Sequence, residues 1–214
     1  MNLQLKHPHN IPFVLFSLIG LVWLLEQQFI GKSLVTFIVG LFITLSLFGI
    51  AGLKGLFQKM KGPFWFPIFC FIMYFLIEIF YTIIAVTSTG NRYLFKHEMV
   101  NQVKYLHGLD EKIWYGVRFL FSAVNEELLM IPLVLLVFIL LKRTRLAWWI
   151  ASLASAILFA SLHFNVYSLN VWVIGLLMIG RILLNEVFRL TNSIRTPMYV
   201  HFLFDTCNLF FMML

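Results

Sequence analysis

The chain has 214 residues, of which 61% are hydrophobic and 12% are charged, and its formal net charge is +7. A soluble domain carries about twice that share of charged residues and clearly fewer hydrophobic ones, so the composition excludes an ordinary soluble protein. The positive charge alone could suggest a nucleic-acid-binding protein. However, the basic residues lie at the ends of long apolar runs, which is typical of membrane topology and indicates no nucleic-acid partner.

Seven apolar runs are long enough to cross a lipid bilayer as helices, which takes about 20 residues each. We therefore predict an all-α fold, a polytopic transmembrane helical bundle with about seven spans. The number becomes six or eight if the sixth run lies at the membrane interface or the fourth breaks at Pro132. In chain order the runs are Ile11–Ile30, Ser33–Leu53, Phe64–Thr87, Ile113–Leu141, Leu146–His163, Val166–Leu184 and Pro197–Leu214.

Basic residues cluster at the ends of these runs. With seven crossings the clusters fall on one face, together with Lys6, and cytoplasmic loops collect Lys and Arg. We therefore expect a multi-pass protein of the cell membrane with its N-terminus in the cytoplasm and the loop Ser88–Lys112 outside. The clusters are Lys54, Lys59 and Lys61, then Lys142, Arg143 and Arg145, and finally Arg189 and Arg195.

Ionisable residues occur inside three of the C-terminal apolar runs. The fourth run contains the neighbours Glu126 and Glu127, the fifth ends at His163, and the last contains His201. A charged group in lipid is costly, so such residues usually face a wet cavity. Neighbours on a helix point about 100° apart. We therefore expect one of the two glutamates to face a cavity with the two histidines and the other to bond to a neighbouring helix; the alternative is a structural carboxylate pair that ties helices together.

Helical spacing gives each histidine a companion. Phe159 precedes His163 by four residues, and Asp205 follows His201 by four, so each pair shares one helical face. A carboxylate one turn away can orient an imidazole ring and fix its tautomer. With seven spans, however, the two histidines would lie far apart unless the turn at Thr191–Pro197 lies deep in the protein, or the helices are tilted or cross only half of the membrane.

Three short motifs occur in order along the C-terminal half of the chain. Together they resemble the CPBP (Abi) family, which comprises intramembrane CAAX-processing endoproteases and bacteriocin-processing or self-immunity proteins. The resemblance covers residues 113–210 and divides the chain into N-terminal membrane helices without a signature, 1–112, and a CPBP-like core, 113–214. The motifs are Asn125–Glu127, Phe159–His163 and His201–Asp205, and the turn Thr191–Pro197 precedes the last of them.

The resemblance implies a metal-independent peptidase that acts on a peptide or protein at the membrane. In it Glu126 is the general base that activates water with help from His163, while His201 and Asp205 stabilise the oxyanion; Glu127 and Phe159 support them. No cofactor is expected. Two histidines and two carboxylates are also a legitimate zinc ligand set, so zinc bound by Glu126, His163, His201 and Asp205 is the alternative.

The chain departs from the family pattern at one charged position. The first motif usually reads Glu-Glu-x-x-x-Arg, and here Ile131 stands at the position of the arginine. We predict that another arginine, Arg118 or Arg181, lies within salt-bridge distance of the carboxylate pair. Arg118 is favoured because it lies about two turns before Glu126 on roughly the same helical face.

Three functions are consistent with these residues. The first is an intramembrane endopeptidase that cuts a peptide near the membrane surface, such as a bacteriocin-related or signalling peptide in a bacterium; an unprenylated peptide is expected. The second is a non-catalytic bacteriocin self-immunity protein, which the missing arginine favours. The third is a proton-coupled transporter with a relay of Glu126, His163 and His201, although the matched halves typical of transporters are not evident.

Overall fold

The computed structural model describes residues 4–26, 32–91, 108–164 and 170–213. Within these ranges the chain forms seven α-helices and no strand, which confirms the predicted all-α fold. A short 3-10 turn, Pro8–Asn10, precedes the first helix. The helices are α1 (Ile11–Glu26), α2 (Lys32–Leu56), α3 (Phe66–Thr89), α4 (Leu109–Leu140), α5 (Arg145–Leu162), α6 (Val171–Thr191) and α7 (Arg195–Met213).

Six of these helices, α1 to α6, are long and apolar enough to cross a membrane, a number inside the predicted range. The last apolar run forms α7, which is not among the six within the described ranges. The fourth run does not break, because α4 continues through Pro132 from Leu109 to Leu140. A proline removes one backbone donor from a helix, and here the surrounding helix remains intact. The chain is a multi-pass membrane protein.

Some predictions concern residues outside the described ranges. Most of the proposed external loop Ser88–Lys112 lies outside them, because residues 92–107 are not described. The same holds for the end of the first run, 27–30, and the start of the sixth, 166–169.

Helix α4 lies at the centre of the bundle and packs against α2, α5 and α7. Helix α3 packs on α6 and α7, and α1 packs on α2. The contact between α2 and α4 is close at Gly40, where an added Cβ atom would lie 3.1 Å from the backbone of Leu128. Any larger residue at Gly40 would push the two helices apart. This close contact therefore fixes α4 against α2 at Leu128, which directly follows Glu126 and Glu127 in the chain.

Most of the predicted basic clusters lie at the same end of the bundle. The amide of Lys6 donates to the carbonyl of Leu47 (2.9 Å), near the kink that Gly49 makes in α2 with φ of 65°. Glycine adopts this left-handed conformation without a steric penalty. The amide of Lys61 in turn donates to the carbonyl of Thr191 at the end of α6 (2.9 Å). These bonds join the start of α1, the end of α2 and the end of α6.

Candidate active site

The two neighbouring glutamates of α4 occupy different environments. The Glu126 side chain is 23% exposed and lines a cavity of about 1040 Å³, whereas the Glu127 side chain is completely buried. The hydroxyl of Ser122, one turn earlier, donates to Glu126 Oε1 (2.9 Å). The neighbouring Asn125 donates from Nδ2 to the carbonyl of Ser33 in α2 (2.9 Å). Thus the two neighbours point to different surroundings, as the helical spacing predicts, and Glu126 is the one that faces the cavity.

Glu127 joins three helices through its two oxygens. Arg181 of α6 donates from Nη1 to Oε1 (2.8 Å) and from Nη2 to Oε2 (2.7 Å), so the pair is bidentate. His201 of α7 places Nδ1 3.0 Å from the same Oε1. Charge-assisted bidentate pairs are the strongest hydrogen-bonded pairs in proteins and fix relative orientation. Glu127 therefore holds α6 and α7 in place against α4.

The arginine within salt-bridge distance of the glutamates is Arg181, which pairs with Glu127, and the preference for Arg118 was wrong. Arg118 instead places its guanidinium over the ring of Tyr115, 5.1 Å from the ring centroid. Eight residues along a helix rise about 12 Å, farther than an arginine side chain reaches, whereas a residue on an adjacent helix can touch the carboxylate directly. Ile131, at the position of the family arginine, is fully buried in the apolar core.

The second nitrogen of His201 faces two carboxylates at the cavity. Nε2 lies 3.5 Å from Glu126 Oε2 and 3.6 Å from Asp205 Oδ2, both ion-pair distances rather than hydrogen bonds. The Asp205 side chain is 26% exposed and lines the same cavity. His201 therefore lies between the buried Glu127 and the two cavity carboxylates, and its ring orientation is determined on both edges.

His163 forms the C-cap of α5 and lines the same cavity. Its Nδ1 lies 2.8 Å from the carbonyl oxygen of Phe159. A carbonyl oxygen only accepts, so Nδ1 carries the hydrogen and a neutral His163 keeps Nε2 as an acceptor. The Phe159 ring packs near both histidines, with its centroid 4.5 Å from that of His163 and 6.4 Å from that of His201, and Arg181 approaches it to 5.8 Å. Phe159 thus contacts both imidazoles.

The two histidines line one cavity, and the turn before α7 is buried in protein. Thr191, Ser193 and Ile194 are fully buried there. The segment that follows α2 covers the turn: Ile194 donates its amide to the carbonyl of Leu56 (2.9 Å), and Ser193 donates its hydroxyl to the carbonyl of Gln58 (2.7 Å). Irregular backbone inside a membrane protein is tolerated where protein satisfies its polar groups.

Two features of the site were missed from the sequence. Glu78 of α3 lines the cavity, and its Oε1 accepts from Asn208 Nδ2 of α7 (3.2 Å). Asn185 supports Arg181 by accepting from its Nε (3.1 Å) and donates to the hydroxyl of Ser155 (3.0 Å). The sequence could have identified Glu78, because it is a lone carboxylate within the third apolar run and such a residue usually faces a cavity. No single-sequence signal distinguished Asn185 from other polar helix residues.

The described parts of the chain contain no group of three or more His, Cys, Asp or Glu side chains arranged to hold one metal ion. The four side chains considered as zinc ligands line one cavity but do not form such a group.

Comparison with known proteins adds a family to this geometry. Residues 109–207 match the family model described as type II CAAX prenyl endopeptidase Rce1-like. No curated protein and no solved structure matches the chain. The matched segment begins with α4 and extends into α7, so it includes Glu126, His163, His201 and Asp205. Members of this family are proteases that act on a peptide or protein at the membrane. The segment that holds the site is therefore Rce1-like, which confirms the resemblance to the CPBP (Abi) family drawn from the three motifs.

Proposed function

We propose that this protein is an intramembrane endopeptidase that hydrolyses a peptide bond of a membrane-associated peptide with a water activated by Glu126. The observation that carries the proposal is the position of Glu126: its carboxylate faces the cavity 3.5 Å from His201, while its neighbour Glu127 is buried and paired with Arg181. A partly exposed carboxylate on a fixed scaffold, beside an oriented imidazole, is suited to general-base catalysis.

In the proposed first step Glu126 accepts a proton from a water molecule in the cavity, and the resulting hydroxide attacks the peptide carbonyl. The hydroxyl of Ser122 bonds to Oε1 of Glu126 (2.9 Å) and leaves Oε2 for the water. His163 assists by accepting a hydrogen bond from the same water at Nε2, since its Nδ1 is held by the Phe159 carbonyl. Glu126 then returns the proton to the leaving nitrogen, which balances the hydrolysis.

In the same step a protonated His201, an imidazolium with a hydrogen on each ring nitrogen, stabilises the negative charge that develops on the carbonyl oxygen. Glu127 accepts from Nδ1 of His201, which fixes the ring so that Nε2 points into the cavity. A donor oriented in advance toward a developing oxyanion is among the largest contributions to catalysis. Asp205, whose Oδ2 lies 3.6 Å from Nε2, orients the His201 ring in this proposal rather than donating to the oxyanion.

The proposed substrate is an unprenylated peptide of bacteriocin or signalling type, cut at the surface of a bacterial cell membrane, with the enzyme's N-terminus in the cytoplasm. The non-catalytic immunity alternative was favoured because Ile131 stands where the family has an arginine. Arg181 weakens that argument, because it supplies a guanidinium to Glu127 from another helix.

The proposal predicts peptide cleavage by the purified protein in proteoliposomes. We expect products from membrane-associated peptides and measure them by mass spectrometry, using matched peptides with and without a C-terminal prenyl group. Cleavage of the unprenylated peptide supports the proposed substrate class; cleavage of the prenylated peptide alone would replace it. If the protein cuts neither peptide but protects liposomes from a pore-forming bacteriocin, the immunity function is correct instead.

We also predict that the proposed hydrolysis does not depend on a metal. Dialysis against a strong zinc chelator should leave the cleavage rate unchanged, because Glu126 and the histidines activate water directly in this mechanism. The zinc alternative predicts loss of cleavage and its recovery on adding zinc back. Metal content of the purified protein, measured by mass spectrometry before and after dialysis, is the control.

A further inference from the structure

A second cavity, of about 370 Å³, lies at the basic end of the bundle. It is formed where α4 ends, α5 begins and α6 ends, and it shares no lining residue with the candidate active site. Three arginines, Arg143, Arg145 and Arg189, line it together with the rings of Trp148 and Trp149. Three guanidinium groups around one cavity indicate an anionic ligand, because arginine binds phosphate and carboxylate groups in a bidentate manner.

The turn between α4 and α5 brings two of these arginines to the cavity. Lys142 and Arg143 both have left-handed backbone conformations, with φ of 64° and 59°. Such a conformation costs a non-glycine residue on the order of 1–3 kcal/mol and is often found at functional sites. The amide of Arg143 donates to the carbonyl of Phe138 (3.0 Å), which closes the turn on the end of α4. Arg145 follows as the first residue of α5.

The start of α5 adds to the attraction for an anion. Thr144 is the N-cap and accepts a hydrogen bond from the amide of Ala147 (3.0 Å), and Thr144 itself lines the cavity. The N-terminus of a helix carries a partial positive charge that favours anions such as phosphate. The cavity therefore combines a helix N-terminus with the three guanidinium groups.

One carboxylate lies beside the cavity and organises it. Glu186 forms an ion pair with Arg189 (Nη2 to Oε2, 2.6 Å) and accepts from the indole nitrogen of Trp148 at its other oxygen (2.5 Å). Glu186 thus offsets one of the three arginine charges and fixes the Trp148 ring. The lining keeps a net positive charge, because none of its residues is acidic.

We propose that this cavity binds the phosphate of an anionic phospholipid such as phosphatidylglycerol. A phosphate ester occurs both in lipids and in soluble molecules. The apolar side chains in and around the cavity favour the lipid. Leu135 and Ile139 give the cavity an apolar wall, and Leu146 and Trp149 beside it are 68% and 46% exposed on the outer surface of the bundle. Basic pockets between membrane helices, near the ends of the spans, are typical sites for anionic headgroups. This inference is independent of the proposed proteolysis.

The test measures binding of single lipids to the full chain in detergent micelles by native mass spectrometry. Wild-type protein should bind phosphatidylglycerol in preference to phosphatidylcholine. The double variant Arg143→Gln/Arg145→Gln should bind phosphatidylglycerol at least about ten-fold more weakly, since charge-assisted hydrogen bonds to phosphate are lost. The matched control is Lys54→Gln/Lys59→Gln, which removes the same charge from the same end of the bundle, at two exposed residues that do not line the cavity.

Specific outcomes overturn the proposal. Equal weakening in both double variants would mean that the whole basic end attracts lipid without a defined site. Absence of a preference between the two lipids in the wild type, which needs no variant, would remove the site altogether. Displacement of phosphatidylglycerol by excess inorganic phosphate would assign the cavity to a soluble phosphate compound. Arg143 and Arg145 are both exposed, so the variant is expected to unfold at the same temperature as the wild type.

Discussion

Replacing Glu126 by Gln is expected to lower the rate of peptide cleavage by about 10²- to 10⁴-fold, the usual contribution of a general base. Glutamine has the same shape but cannot accept the proton of the attacking water. The side chain is partly exposed to the cavity, so the fold should be unchanged. The loss should therefore appear in kcat, while the affinity for an uncleaved peptide stays close to the wild-type value. Proteoliposome cleavage and a peptide-binding titration measure the two quantities.

The control for this variant is Glu111→Gln, the same change at an exposed residue of the same helix. We expect it to cut at the wild-type rate. If Glu126→Gln remained active while Glu127→Gln abolished cleavage, the roles of the two glutamates would be exchanged. If Glu126→Gln instead weakened peptide binding and left kcat intact, the residue would recognise substrate and not activate water.

Replacing Arg181 by Met is expected to destabilise the protein by about 3–5 kcal/mol, the range for removing one partner of a buried ion pair. Both side chains of the Arg181–Glu127 pair are completely buried, so the variant leaves a carboxylate without its cation. The variant should also lower the cleavage rate, because the Glu127 carboxylate that contacts His201 is no longer held in position by Arg181. Chemical unfolding in mixed micelles gives the change in the free energy of unfolding.

Two matched variants make this prediction specific. Arg189→Met removes an arginine from the half-exposed pair with Glu186 and should cost no more than about 1 kcal/mol. The double variant Arg181→Met/Glu127→Met removes both charges and should recover part of the lost stability, although it also removes the carboxylate that contacts His201. Equal stability losses for Arg181→Met and Arg189→Met would show that the buried pair does not hold the helices together.

Much of the architecture followed from the sequence because it depends on local properties. The length and apolar character of each run predict a membrane helix without reference to any other part of the chain. Likewise, the 100° between neighbouring residues on a helix was enough to predict that Glu126 and Glu127 point to different surroundings, and the family resemblance selected Glu126 for the cavity. The three motifs also predicted the family. The division of the chain at residue 112 stays a prediction, as do the catalytic roles, the absence of a cofactor and the orientation in the membrane.

The partners of the site residues depend on which helices touch, and only the tertiary structure decided this. Arg118 and Arg181 were both available to neutralise the glutamate pair, and the packing of α6 against the site selects Arg181, 54 residues from Glu127 in the chain. Glu78 reaches the cavity only because α3 packs on α7. The sequence by itself thus determined the helices, their membrane character and the residues of the candidate site. The tertiary structure decided the counter-charge, the approach of the two histidines and the extra carboxylate, because interactions between helices are not encoded by the spacing within any one of them.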